Sequence, residues 1–274
     1  MAQFTTSDGL SIHFTDVGGG LPILCLAGLT RTTADFDYVT PHLSGNRLIK
    51  MDYRGRGQSD FDPEWQNYAL PIECRDVLEL LAHLGLDKVA ILGTSRGGLN
   101  AMGLAAGAKD QLLGVALNDV GPVIETTGLD MIRHFIGRPP AAKSHADAAA
   151  AMARAFPEFT DVPDSRWMEE AVKHYVQTDD GLAITYDPHL RDAVLAAMDG
   201  PAVDLWPFFD ALSGLPFSCI WGEGSNLLGA ATVQEMQRRR PDMILGTVPG
   251  RGHVPFLDEP QAVTALHKWV GEMQ

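Results

Sequence analysis

Cysteine is scarce in this chain, three among 274 residues, and Cys25, Cys74 and Cys219 cannot all pair with one another. Cys25 and Cys219 sit inside apolar runs, so reduced core thiols are expected rather than a disulfide framework. No C-x-x-C or H-E-x-x-H spacing occurs, which leaves a metal site without a motif, and no cofactor is expected. Basic residues are few: Lys and Arg total 21 against 35 Asp and Glu, for a formal net charge of −14. Such a chain repels phosphate backbones and anionic lipid, which argues against nucleic-acid and membrane partners and leaves a small-molecule substrate. No apolar run approaches the roughly 18 residues of a membrane span, and the first residues lack a basic stretch followed by an apolar one. A cytoplasmic location is therefore expected. Nothing in the sequence reports the oligomeric state.

What is present is a rhythm. Alternating stretches near Gln3–Thr6 and Ser11–Asp16 predict an edge hairpin. The run Pro22-Ile23-Leu24-Cys25-Leu26 is continuously apolar, as a strand buried on both faces of a parallel sheet must be. A helix is predicted from Asp35 to Leu43, a strand at Leu48–Met51, and a helix at Ile72–Leu84 from the stripe Ile72, Val77, Leu80, Leu81 and Leu84. Strands follow at Lys88–Leu92 and Leu113–Leu117, around a small-residue helix at Gly97–Ala108. The rhythm resumes with Phe217–Trp221, a helix near Ala230–Arg239, a strand at Met243–Val248 and a last helix from Gln261. The fold class is α/β, a doubly wound, mostly parallel sheet. Residues 1–122 and 206–274 form its core domain. Residues 123–205, rich in alanine, proline and charge and without a convincing buried strand, read as a helical cap, with Trp206 and Phe208-Phe209 hinging or seating it.

The strongest local signal is Gly93-Thr94-Ser95-Arg96-Gly97-Gly98, between a buried strand and a helix. A serine on so sharp a turn exposes its hydroxyl, and the helix N-terminus sets backbone N–H groups beside it. Ser95 is thus a candidate nucleophile, against a plain turn serine; the spacing does not match the dinucleotide fingerprint G-x-G-x-x-G. A nucleophilic serine needs a base. His253, in Pro249-Gly250-Arg251-Gly252-His253-Val254-Pro255, follows the last strand and opens on the same carboxyl edge of the sheet.

Gly93–Gly97, the turn Asp52-Tyr53-Arg54-Gly55-Arg56-Gly57-Gln58-Ser59 and the late Gly252-His253 together resemble the α/β-hydrolase superfamily, in a capped serine-hydrolase branch, over nearly the whole chain outside 123–205. The Asp52–Ser59 turn suits a tight, self-bonded structural loop. The resemblance implies a nucleophile elbow at Ser95 and an oxyanion hole from the backbone N–H groups of Leu29 and Arg96. It also implies an acid after the Phe217–Trp221 strand, where this chain has Gly222-Glu223-Gly224-Ser225-Asn226 and no aspartate. Asp119, at the end of the Leu113–Leu117 strand, is an alternative acid, as in certain haloalkane dehalogenases of the superfamily. Glu223, or no acid at all, remains open.

Arg31 is a candidate for a substrate carboxylate, and Trp167 and Tyr175 for the pocket, with Arg133, His134 and Arg138 beside them. For Arg31 a surface position is the competing role, and for the others packing or a solvated face. Three activities fit: hydrolysis of a carboxylic ester or amide through an acyl-enzyme, carbon–carbon bond hydrolysis of a diketone-type acid by the same residues, or ligand binding by a catalytically weakened relative.

Overall fold

The computed structural model describes residues 2–274; residue 1, where the expected core domain starts, lies outside them. Strands β1 (Ala2–Thr5) and β2 (Ser11–Val17) open the chain, followed by β3 (Pro22–Leu26) and β4 (Arg47–Met51). Helix α1 (Leu70–His83), β5 (Val89–Thr94), α2 (Arg96–Gly107) and β6 (Leu112–Asn118) come next. Residues 123–205 contribute α3 (Thr126–Phe135), α4 (His145–Ala155), α5 (Asp164–His174), β7 (Tyr175–Thr178), β8 (Gly181–Ile184) and α6 (Leu190–Asp199). The chain closes with α7 (Trp206–Asp210), β9 (Phe217–Gly222), α8 (Ala230–Arg239), β10 (Ile244–Val248) and α9 (Pro260–Gly271).

Eight of these strands make one sheet in the order β1-β2-β4-β3-β5-β6-β9-β10. β2 pairs antiparallel with both β1 and β4, and the remaining neighbours are parallel. Side chains alternate across the pleat. In β3, Leu24 and Leu26 enter a core shared with Val77, Leu80 and Ala101, whereas Ile23 and Cys25 pack on the other face with Leu266 and Trp269. Burial on both faces is why the central strands carry no polar alternation. Among the described residues, no helix is long and apolar enough to cross a membrane.

Two expectations are corrected. Residues 35–43 form no α-helix; two short 3₁₀ turns, Thr33–Phe36 and Thr40–Leu43, stand there instead. Pro41 has no N–H to give the carbonyl four residues back, and its ring clashes with that turn. Residues 123–205 are not wholly helical: β7 and β8 pair as a hairpin, and Leu182 is buried. Four-residue strands are too short to show periodicity, although Asp180-Gly181, with Gly181 at φ 130°, is a legible turn signal. Phe209 is fully buried in the sheet's core, edge-on to Phe217 and Trp206 at 5.6 Å each.

Residues 123–205 hold two small apolar clusters of their own, one around Trp167 and Ala171, the other around Tyr186 and Ile136. The Asp52–Ser59 turn ties this segment to the sheet: Gly57 N–H donates to the Thr185 carbonyl and Asp187 N–H to that of Gly55, at 3.0 and 2.8 Å.

Helix α2 lies hard against the end of β3. A Cβ on Gly97 would stand 1.9 Å from the Leu26 carbonyl oxygen, a backbone atom that no rotamer change removes. Gly97→Ala is predicted to lower the unfolding free energy by about 3 kcal/mol or more. Urea denaturation checks this; a loss below about 0.5 kcal/mol, the scale of ordinary surface changes, contradicts so close an approach.

Candidate active site

Three loops leave the carboxyl ends of parallel strands, and the sheet brings those ends to one rim. Ser95 sits between β5 and α2 with φ 50° and ψ −113°, a conformation costing a non-glycine residue about 1–3 kcal/mol. Its N–H donates to the Asn118 carbonyl at 3.0 Å. Asp119 ends β6 in the left-handed region, φ 56°, which aspartate tolerates better than most side chains. His253 follows β10. Its Nε2 lies 2.9 Å from Ser95 Oγ, and its Nδ1 lies 2.8 Å from Asp119 Oδ2.

A fully buried carboxylate is costly unless donors surround it. Asp119 has them: Gly222 N–H donates to Oδ1 at 2.8 Å, and the Ser225 hydroxyl donates to Oδ2 at 2.6 Å. The last residue of β9 and the loop after it thus supply donors to the aspartate beside the neighbouring strand. Glu223 is exposed, and the Asn226 amide faces Met131 Sδ at 3.8 Å. Sequence reasoning passed over Ser225 because its search in that loop was for a carboxylate. It also missed Asn118, whose buried Nδ2 donates to Thr94 Oγ1 and to the Pro255 carbonyl, both at 3.2 Å. That one amide links the three loops carrying Ser95, Asp119 and His253.

Arg96 opens α2, and the first N–H groups of a helix have no intrahelical acceptor. The Ala27–Arg31 loop runs past Ser95: a Cβ on Gly28 would lie 3.9 Å from the serine Cβ. The Leu29 carbonyl accepts from Arg56 Nε at 3.0 Å.

Arg31 is near this loop but not free. Its guanidinium stands 3.4 Å from both Asp35 and Glu170. Burial pushes the Asp35 carboxyl up to about 6 against the pull of Arg31, and Glu170 adds to the rise. Burial, with Arg31 and Lys173 nearby, holds His174 well below the usual imidazole range and therefore neutral at pH 7. Trp167 lies in the small core of the 123–205 segment, stacked on Phe156 and edge-on to Phe159. Tyr175 is half-buried against His174. Arg133 pairs with Asp199, and His134 Nδ1 meets the Asp130 carbonyl of its own helix. Ser95, His253 and Asp119 meet; Trp167, Arg133 and His134 make their contacts elsewhere. Among the described residues, no group of three or more His, Cys, Asp or Glu is placed to hold a metal.

Residues 23–266 match the model of the alpha/beta hydrolase family. The chain is 34% identical to a 3-hydroxybutyrate-oligomer hydrolase of Cupriavidus necator, with 91% of this chain and 88% of that protein covered. It is 28% identical to a 2-(acetamidomethylene)succinate hydrolase of Mesorhizobium japonicum, over 89% and 85% of the two chains. The crystal structure of an alpha/beta hydrolase from Novosphingobium aromaticivorans superposes with a TM-score of 0.92 at 34% identity, covering 100% of this chain and 98% of that one.

The elevated Asp35 carboxyl sets a pH dependence. Its folded value, about 6, exceeds the ordinary 3.8, so the folded state holds the proton more tightly, and stability is lost as pH rises from about 4 to 6. Asp35→Asn has no such proton to lose. Between pH 4 and 7 it is predicted to gain about 2–3 kcal/mol relative to the wild type. Denaturant titrations across this range check it; a constant difference between the two proteins contradicts it.

Proposed function

The chain belongs to the alpha/beta hydrolase family and is a hydrolase; from that premise we propose that it is a serine hydrolase cleaving a carboxylic ester of a small hydroxy acid through an acyl-enzyme on Ser95. The observation that carries this reading is the single imidazole of His253, 2.9 Å from Ser95 Oγ on one side and 2.8 Å from Asp119 Oδ2 on the other.

In this reading His253 Nε2 takes the Ser95 proton as Oγ attacks the ester carbonyl carbon. Asp119 holds the ring by Nδ1–H and stabilises the imidazolium while remaining ionised. The N–H groups of Leu29 and Arg96 receive the oxyanion, a contribution of about 3–4 kcal/mol for each such donor. Collapse of the tetrahedral intermediate expels the alcohol, which leaves with the proton from His253. Water, deprotonated by the same nitrogen, then attacks the acyl-enzyme; the second intermediate breaks its bond to Ser95 Oγ, which takes the proton back from His253 as the acid departs. Residues 123–205 form the cap and set which acyl and alcohol groups fit.

The substrate class draws on the resemblance to the 3-hydroxybutyrate-oligomer hydrolase, a protein similar along nearly all of its length. Asp35 and Glu170 already flank the Arg31 guanidinium, so Arg31 is assigned to no substrate carboxylate in either reading. Ligand binding without turnover is disfavoured because Asp119 supplies a fully buried, doubly donated carboxylate to His253.

Linear dimers and trimers of 3-hydroxybutyrate, with short nitrophenyl esters for comparison, are predicted to be hydrolysed, and a fluorophosphonate probe to label Ser95. Ser95→Ala abolishes both. Asp119→Asn lowers kcat on the order of 10⁴-fold with the fold intact by circular dichroism. Undiminished turnover in Asp119→Asn, or labelling that survives Ser95→Ala, contradicts the assignment.

A further inference from the structure

The Asp52–Ser59 turn, structural by its sequence, reaches the proposed active site through one side chain. Arg56 is fully buried between the rings of Tyr53 and Tyr68. Its Nε donates to the Leu29 carbonyl at 3.0 Å, its Nη1 donates to the Arg54 carbonyl at 2.7 Å, and its Nη2 stands 2.9 Å from Glu73 Oε1. The other oxygen of Glu73, Oε2, accepts from Arg96 Nε at 2.7 Å and from Asn100 Nδ2 at 3.1 Å. Arg96 in turn donates to the Tyr68 carbonyl at 3.0 Å. Glu73 is itself fully buried, and despite that burial Arg96 and Arg56 keep its carboxyl below the ordinary range.

We infer that Glu73 is a positioning residue for the oxyanion hole, joining Leu29, through Arg56, to Arg96 in one buried Arg–Glu–Arg clamp. The inference rests on the serine-hydrolase reading above, in which the Leu29 and Arg96 amides receive the oxyanion. Those amides belong to loops after different strands, β3 and β5, and backbone continuity alone does not set their separation. The clamp grips both at the residue level: one arm is the side chain of Arg96, and the other holds the carbonyl of Leu29, fixing the plane of the next peptide and the run of the loop. Buried ion triads are weak sources of stability, and well-packed apolar groups often replace them without loss. Their value here is geometric. Oxyanion donors act only when they are already in place, and a shift on the ångström scale at a reacting centre costs turnover.

The test measures kcat, KM and the inhibition constant of an alkyl trifluoromethyl ketone, which adds to the nucleophilic serine and places its oxyanion where that of the intermediate forms. In Glu73→Gln, kcat falls on the order of 10- to 100-fold, less than removal of a whole donor. KM stays within about two-fold, and ketone affinity falls by the same factor as kcat, because a uniform binding loss would move KM instead. Arg56→Lys keeps the buried charge beside Glu73 but loses the Nε bond to Leu29, and it shows the same pattern; it decides the matter if Glu73→Gln does not fold. A purely structural role lowers the unfolding midpoint while kcat and ketone affinity keep their wild-type values in folded protein, and that result overturns the clamp. A fall in kcat with ketone affinity retained also overturns it. A wild-type enzyme that neither cleaves esters nor binds the ketone overturns the hydrolase reading and the clamp with it, whereas an active wild type with unaltered variants overturns the clamp alone.

Discussion

The hydrogen bond between His253 Nδ1 and the buried carboxylate of Asp119 is the interaction on which the rest of this site depends. It orients the imidazole so that the opposite nitrogen faces Ser95 Oγ, and in the proposed chemistry it offsets the charge that the ring acquires. A carboxylate with no exposed surface persists there because two donors hold it from the end of the adjacent strand and the loop that follows. Gly222 and Ser225 thus supply the buried carboxyl with the hydrogen bonds that it would otherwise have from water.

The parallel sheet explains how such distant residues converge. β5, β6, β9 and β10 are neighbours with a common direction, so the loops leaving them share an edge, as ligand sites of open α/β sheets do. Precision is added locally. Ser95 occupies a strained turn made tenable by the close approach of α2 at Gly97, and the Asn118 amide ties Thr94 to Pro255 across the site. In the proposed chemistry the oxyanion side is braced separately, by Arg56, Glu73 and Arg96.

Much of this was legible in the residues. Continuous apolar runs such as Ile23–Leu26 announce strands buried on both faces, and the strand–turn–helix context of Ser95 marks the elbow before any coordinates are seen. Other features were hidden for physical reasons. Pro41 lies within an otherwise helix-compatible stretch and breaks it into two 3₁₀ turns. The hairpin β7–β8 is too short for its period to register. Ser225, Asn118 and Glu73 act through contacts to residues well separated along the chain, and no spacing encodes contacts of that kind. The two readings of Arg31 in sequence, carboxylate binder or surface residue, needed the positions of Asp35 and Glu170 to be weighed.

The relay through His253 is tested most directly by proton NMR of the imidazole, since a ring N–H shared with a carboxylate resonates far downfield of other exchangeable protons. The wild-type protein should show one such resonance, assigned to His253 by its loss in His253→Ala and abolished in Asp119→Asn while the remaining spectrum stays folded. A downfield signal that survives Asp119→Asn, or none at any pH in the wild type, contradicts the pairing of His253 with Asp119 and the account built on it.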